Sequence, residues 1–489
     1  MNNQLILQAF QWELPADGTH WQTIKEKAAA LQQLGITAVW LPPASKGAAG
    51  SEDVGYGTYD LYDLGEFDQK GRVATKYGTK AEYLAAIQAL QNQGIAVYGD
   101  IVFNHFMGAD EIERVSAVEY NWDNRNQAIS GEEEIEAWTK FTFPGRQGKY
   151  NTYSWTWKNF SGVDYDARRS NHAIFNFADK GWDEEVDREK GNFDYLMGCD
   201  LDMENPETAE QLNKWGKWYL EETNVNGFRL DAVKHIQFDF FVDWLLQRRK
   251  EKKDSLFVVG EYWADEVTKL EEYIDSSGNL IALFDVPLHF NFYRASSSMG
   301  SFDMREIFAN TLIASRPDYA VTFVDNHDTQ KGQSLESWID GWFKVHAYAL
   351  ILLRKAGIPT VFWGDLYGIP TQKINPVGQD LETLMAIRQQ LAFGNQVDYF
   401  DDPDRIGWVM TGDFEHEHSG FAVLMTNGSG GEKEMTISGI HAGKTFVDVL
   451  NNQQEKVVLD ENGKGVFPVK DGSISVYLNE EIAADFGYN

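Results

Sequence analysis

Three acidic residues are the chemically suggestive feature of this chain. Asp231 closes VNGFRLD, Glu261 closes LFVVGE and Asp328 closes VTFVDNHD. Each follows a short run rich in β-branched and aromatic residues, which reads as a buried strand, so each stands at a strand's C-terminal end. One aspartate in such a place is usually a helix cap or half of a surface ion pair. Here four strand ends carry ionisable groups together: Asp100, Asn104 and His105; Arg229 and Asp231; Glu261; Asp325, His327 and Asp328. Such side chains converge on one cavity. Clustered carboxylates suit glycoside cleavage, where one attacks or stabilises the anomeric carbon and another protonates the leaving oxygen. They also suit divalent-metal enolate chemistry. An aromatic content of 14% favours a sugar, because Trp and Tyr faces stack on pyranose rings, although most such residues pack in the core. Arg229 lies two residues before Asp231 on one strand, hence on the same face, and a nearby cation favours the ionised carboxylate.

The elements that must position these groups alternate. WQTIKEKAAALQQL puts Ile24, Ala28, Leu31 and Leu34 on one helical face, Gly35 stops it, and ITAVWLPP follows as a strand. KAEYLAAIQALQNQ leads through Gly94 into IAVYGDIVFNH, and Asn205 with Pro206 opens a helix through Leu220 that leads to VNGFRLDAV. About eight strands alternate with helices in this way, which predicts a closed (β/α)8 barrel, with an open doubly wound α/β sheet as the second reading. Residues 106–204 interrupt the rhythm without regular alternation and read as an inserted, irregular, β-rich domain. The acidic runs GEEEIEAW (131–138) and DEEVDRE (183–189) read as solvated surface, with Asp183 the exception. From residue 391, short runs separated by Gly, Asn and Asp predict a C-terminal antiparallel β-sandwich. The expected division is 1–105 and 205–390 for the barrel, 106–204 for the insert and 391–489 for the sandwich.

Composition narrows the partners. Of 489 residues, 43 are Lys or Arg and 75 are Asp or Glu, a net charge of −32. A chain this acidic is poorly suited to nucleic acid or an anionic membrane. No stretch approaches the ~18 apolar residues of a membrane span. Cys199 is the single cysteine, so no intrachain disulfide forms. The segment MNNQLILQAFQWELP has no basic residue before Lys25, unlike a signal peptide. The expectation is a cytoplasmic protein, or a secreted one shown without its signal.

Four stretches, DIVFNH (100–105), GFRLDAVKH (227–235), EYW (261–263) and FVDNHD (323–328), resemble in order and spacing the four successive motif regions of the α-amylase family of glycoside hydrolases. VGYGTYDLYDLGEFDQKG (54–71) and GNFDYLMGCDLD (191–202) further resemble the liquefying bacterial members and their cytoplasmic relatives, and the similarity spans nearly the whole chain. The resemblance implies Asp231 as nucleophile, Glu261 as general acid and then base, and Asp328 as the group that holds the sugar's 2- and 3-hydroxyls. It implies Arg229 as the partner of Asp231, His105 and His327 as donors to the sugar at the cleavage point, and Tyr56 stacked beneath that sugar. Lys234, His235 and Trp263 are implied as contacts for the leaving-side sugars. The negative neighbours Asp231 and Asp328 are expected to raise the pKa of Glu261.

Asn104, Asp194, Asp200 and Asp202 offer oxygen ligands where insert and barrel join, and on the residues alone calcium and a metal-free acidic loop are equal readings. The resemblance implies a structural calcium held by Asn104, Asp194, Asp200 and the His235 carbonyl. Asp183 and Asp202 match a further calcium or sodium cluster of relatives, but Ser161 and Glu204 stand where relatives carry Asp, which weakens that second site. Cys199 reads as a buried thiol, since thiolates are poor calcium ligands. The activity implied is retaining, endo-acting hydrolysis of internal α-1,4-glucosidic bonds in starch, glycogen and maltooligosaccharides by a monomer. The alternatives are a transglycosylase or oligosaccharide-specific α-glucosidase of the same superfamily, and a non-catalytic glucan-binding protein.

Overall fold

The computed structural model describes residues 3–252 and 256–488. Met1, Asn2 and Asn489, at the ends of the expected first and last domains, and Ser255, at the start of an expected strand, lie outside the described residues.

Eight strands close into a parallel barrel: β1 (Ile6–Gln8), β2 (Ala38–Trp40), β3 (Ala96–Ile101), β4 (Gly227–Leu230), β5 (Phe257–Gly260), β6 (Ala282–Phe284), β7 (Ala320–Phe323) and β8 (Ile358–Phe362). Each neighbours the next in sequence, and β8 returns to β1. The closed ring replaces the open doubly wound alternative. These strands are buried on both faces, which is why they read as near-continuous apolar runs. Ile6, Trp40, Tyr98, Val259, Phe284 and Phe323 fill the interior, so the barrel is a packed core.

The helices follow their sequence signals. α1 (His20–Gln33) buries Trp21, Ile24, Ala28 and Leu31, and Gly35, at φ 81°, turns the chain into β2. α2 (Lys80–Asn92) opens on a capping box between Thr79 and Glu82. α3 (Pro206–Thr223) starts at Asn205, whose side chain accepts from Glu207 N at 2.9 Å. It runs three residues past the expected Leu220 and ends on Asn224, at φ 52°. Gly99 in β3 has no side chain because the Tyr219 hydroxyl of α3 packs against its Cα and bonds the Tyr83 hydroxyl of α2 at 2.6 Å. That contact seats two helices on the strand that carries Asp100.

Between β3 and β4 the chain builds a six-stranded antiparallel sheet in the order His105–Phe106, Cys199–Leu201, Phe160–Asp166, Asn171–Phe177, Glu111–Tyr120, Glu133–Lys140. The first of these follows β3 almost directly, so the sheet grows out of the barrel's C-terminal rim. Two sequence expectations need correction here. The acidic run at 131–138 is not simply solvated surface, because it leads into an alternating strand with Ile135 and Ala137 inward and glutamates outward. In the run at 183–189, Val186 and Asp187 are buried along with Asp183. Asp187 accepts from the Tyr262 hydroxyl at 2.5 Å and pairs with Lys269 at 3.3 Å.

Beyond the barrel, a second six-stranded sheet includes Arg405–Met410, Phe421–Thr426, Thr445–Asp448 and Ile474–Asn479. A two-stranded antiparallel sheet of Gly431–Thr436 and Lys464–Val469 closes Phe446, Phe467 and Tyr477 into a separate core.

Candidate active site

Arg229, on β4, is the buried hub of the barrel's C-terminal end. Its Nη1 donates to Asp100 Oδ1 at 2.9 Å and to Asp231 Oδ1 at 2.5 Å, and its Nη2 donates to Glu261 Oε2 at 3.0 Å. One guanidinium thus ties the ends of β3, β4 and β5. The backbone ladder continues past the strands in register, Asp231 N to Ile101 O and Glu261 N to Leu230 O, both 2.9 Å. The second oxygen of Asp100 accepts from Trp40 Nε1 at 2.9 Å and the Tyr56 hydroxyl at 2.8 Å. After Asp231 the chain turns through Ala232 at φ 50°, a left-handed conformation that alanine rarely adopts. This turn aims Ala232 N at Glu261 Oε2, 3.1 Å away.

Above Arg229 opens a cleft of about 820 Å3. Asp231, Glu261 and Asp328 all line it, and so do Tyr56, His105, Lys234, His235, Trp263 and His327. Arg229 lies beneath the floor. Gln8 Nε2 donates to His327 Nδ1 at 2.9 Å, which leaves the proton on Nε2, facing Asp328 Oδ2 at 3.2 Å. Burial holds the His327 pKa well below that of free histidine, so the ring is neutral. His105 donates from Nε2 to the Tyr56 carbonyl at 2.8 Å, while Asn104 Nδ2 lies 3.3 Å from its Nδ1. Both rings that sequence assigns to the sugar therefore hold protein partners on both nitrogens. The Tyr56 ring runs parallel to His327 (5.0 Å, 11°) and to Trp12 (6.3 Å, 4°).

Lys234 and His235 tie the barrel to the insert. Lys234 Nζ donates to Glu189 Oε2 and to the Trp263 carbonyl, both at 2.9 Å, and sits 5.0 Å from the Phe193 ring centre. His235 Nδ1 donates to the Phe193 carbonyl at 2.7 Å. Trp263 is half-buried against Phe290, at 5.9 Å between ring centres.

Burial shapes the acid–base behaviour. It pushes the Glu261 pKa up to about 8; Arg229 opposes the rise, and Asp231 and Asp328 add to it. The expected cause, like-charged neighbours, is present but secondary. Asp328 rises to about 7, chiefly by burial, against Arg229 and with the help of Asp231.

Sequence reasoning missed Trp12 and Gln8. Both follow or close β1, and the rule that located Asp231 and Glu261, to look at C-terminal strand ends, points to them as well.

Of the expected metal ligands, Asn104, Asp183, Asp194, Asp200 and Asp202 are all buried. Asn104 Nδ2 lies 3.5 Å from Asp200 Oδ1, and Asp183 N donates to Asp194 Oδ2 at 3.0 Å. The Ser161 hydroxyl donates to Asp200, and the Lys180 ammonium to Asp202. Among the described residues, Asp183 Oδ2 is buried without a hydrogen-bond partner. Burial, followed by neighbouring carboxylates, raises Asp183 and Asp194 well above the usual range, and burial does the same to Asp200. Among the described residues, no three His, Cys, Asp or Glu side chains are grouped as around a metal ion. Cys199 is buried, with its thiol 3.0 Å from the Trp138 carbonyl.

A closed (β/α)8 barrel with three carboxylates around a cleft at its C-terminal rim, two of them on one buried guanidinium, defines a glycoside hydrolase. The chain belongs to the α-amylase family, since residues 8–425 match the alpha amylase catalytic domain. It is 52% identical to an alpha-amylase of Geobacillus stearothermophilus over 97% of this chain and 87% of that one. It is 47% identical to a glucan 1,4-alpha-maltohexaosidase of Bacillus sp. (strain 707), over 98% and 93%. It is 44% identical to a cytoplasmic alpha-amylase of Escherichia coli (strain K12), over 99% and 100%. The solved Anoxybacillus alpha-amylase superposes with a TM-score of 0.64 over 97% of each chain at 18% identity, a likeness of fold.

A raised acid keeps its proton to higher pH. If Glu261 must be protonated for cleavage, the basic limb of kcat/KM falls near pH 8 rather than near the ordinary glutamate value of 4.5. A pH–rate profile on a soluble maltooligosaccharide checks this, and a basic limb below pH 6 contradicts it.

Proposed function

We propose that this chain hydrolyses internal α-1,4-glucosidic bonds of starch- and glycogen-type glucans and maltooligosaccharides with retention. The observation that carries the reading is the pair Asp231 and Glu261 held on two arms of the Arg229 guanidinium. That close bracket suits the ~5–5.5 Å carboxyl spacing of a retaining enzyme better than the ~6.5–9.5 Å of an inverting one. Asp231 attacks the anomeric carbon while Glu261 gives its proton to the departing oxygen. The glycosidic C–O bond breaks and an ester to Asp231 forms. Glu261 then takes a proton from water, the water oxygen bonds the anomeric carbon, and the ester opens to free Asp231. Asp328, which lines the cleft 3.2 Å from His327 Nε2, holds sugar hydroxyls in this reading. The names of the relatives, alpha-amylase and maltohexaosidase, support an α-1,4-glucan substrate. A full carboxylate trio facing the cleft argues against a protein that only binds glucan.

We also assign a structural calcium to Asn104, Asp194, Asp200 and the His235 carbonyl. The support is the chemistry of the donors: like-charged carboxylates buried together are costly, and a hard oxygen-binding cation offsets that cost. Bound there, calcium supplies positive charge and pins the insert to the end of β3. A second cation at Asp183 and Asp202 is disfavoured, because Lys180 already meets Asp202 and Ser161 brings no charge. The protein acts as a monomer. We place it in the cytoplasm, a location supported by the E. coli relative's name; secretion after signal removal is the second reading. No helix among the described residues is long and apolar enough to cross a membrane.

Glu261→Gln removes the transferable proton without changing side-chain volume. The variant is expected to lose activity on amylose by a factor of at least about 10² while its circular dichroism is unchanged. Turnover near that of the wild type removes Glu261 from its role. Chelation with EDTA is expected to lower the melting temperature and calcium to restore it; an unchanged melt removes the calcium.

A further inference from the structure

On the flank of the barrel, a surface hollow of about 470 Å3 shares no lining residue with the cleft. Tyr62, Tyr150, Asn151, Thr152, Lys214 and Trp218 line it. Trp218 comes from α3, and the others except Tyr62 and Lys214 come from a single loop of the insert. The ring centres of Tyr62 and Trp218 are 4.8 Å apart with planes at 48°, and those of Trp218 and Tyr150 are 4.9 Å apart at 45°. Rings tilted in succession around one hollow make a curved wall. A flat aromatic platform suits a ribbon-like polymer, whereas a curved one suits a chain that coils, as α-1,4-linked glucose does.

The loop is held in place at a cost. Tyr150 is 36% exposed yet adopts φ 69°, a left-handed conformation that non-glycine residues avoid. Such strain persists only where the surroundings over-determine it, and it concentrates at functional positions. Buried Arg146 does the holding. Its Nε donates to Asp60 Oδ2 at 2.9 Å, and its Nη1 donates to the Lys149 carbonyl at 2.8 Å and to the Asn151 carbonyl, bracketing Tyr150. The Tyr150 hydroxyl donates to Glu66 Oε2 and accepts from Lys80 Nζ, both at 2.7 Å.

Charge selects the ligand class. Lys80 pairs with Glu66 at 3.1 Å and Glu222 at 2.8 Å, Lys149 pairs with Glu66, and Lys214 pairs with Glu210 at 2.7 Å. These three lysines are each matched by a carboxylate, so among the described residues they leave no spare positive charge for an anion. Aromatic faces rimmed by hydroxyl, amide and paired charges suit a neutral polyhydroxylated molecule.

We propose that this hollow is a second carbohydrate site, which holds a stretch of α-1,4-glucan outside the cleft. The identity of the polymer rests on the function proposed above. Holding one segment of a long chain raises the local concentration of other segments at the cleft. A substrate too short to span both sites gains nothing.

The test measures adsorption to granular starch by depletion, together with the rate on a short chromogenic maltooligosaccharide, for the full chain and two variants. Trp218→Ala removes the central ring. Thr152→Arg blocks the hollow from an exposed rim position and removes no packing. Both variants are expected to weaken adsorption about tenfold with the short-substrate rate unchanged. Unchanged adsorption by Thr152→Arg overturns the site, whatever Trp218→Ala does. A loss of short-substrate rate in step with adsorption in both variants also overturns it, because the effect is then on the cleft or the fold. Failure of the unaltered protein to cleave the short substrate refutes the proposed hydrolysis, while adsorption still reports on the hollow.

Discussion

One buried guanidinium holds the active end of this molecule together. Arg229 is 0% exposed and faces Asp100, Asp231 and Glu261 from three successive strands. A buried carboxyl is costly unless paired and hydrogen-bonded, and Arg229 offsets that cost for all three, while burial keeps the proton on Glu261 up to about pH 8. The planar fork also sets geometry, since each of its two arms holds one carboxyl group that lines the cleft. Asp100 completes the arrangement from below. Held by Trp40 and Tyr56, it balances part of the charge on Arg229 without reaching the cleft.

The same hub links the barrel to its insert. Tyr56 donates to Asp100 and through its carbonyl receives His105, the first residue of the inserted sheet. On the opposite wall, Lys234 and His235, just after Asp231, bind Glu189 and the Phe193 carbonyl of the insert's last loop. The two bodies also share apolar packing, since Phe106, Phe141, Phe143, Phe160 and Leu201 of the insert belong to one core with Phe103 and Trp215 of the barrel, and Phe143 meets Tyr59 edge-on at 5.3 Å.

The architecture was legible because the barrel strands are short, largely apolar runs that alternate with helices. Asp231, Glu261 and Asp328 could be found as strand ends alone. The three-way grip of Arg229 could not, because Asp100 lies 129 residues earlier and becomes a neighbour only through the register of β3 against β4. Trp12 was missed for a related reason: β1 has three residues, too few to show where its C-terminal end lies. In the insert, Glu133–Lys140 disguised its alternation by placing glutamates and an exposed Trp138 outward. The pairing of Lys180 with Asp202 depends on the closure of a loop, which no local pattern announces.

If Asp231 and Glu261, clamped on one guanidinium, act from opposite sides of a single glycosidic bond in two displacements, the anomeric configuration is retained. Proton NMR of the products at the earliest times of amylose cleavage tests it most directly. With two displacements, the newly released reducing ends appear in the α configuration and only later equilibrate with β. Reducing ends that appear first as β would contradict it.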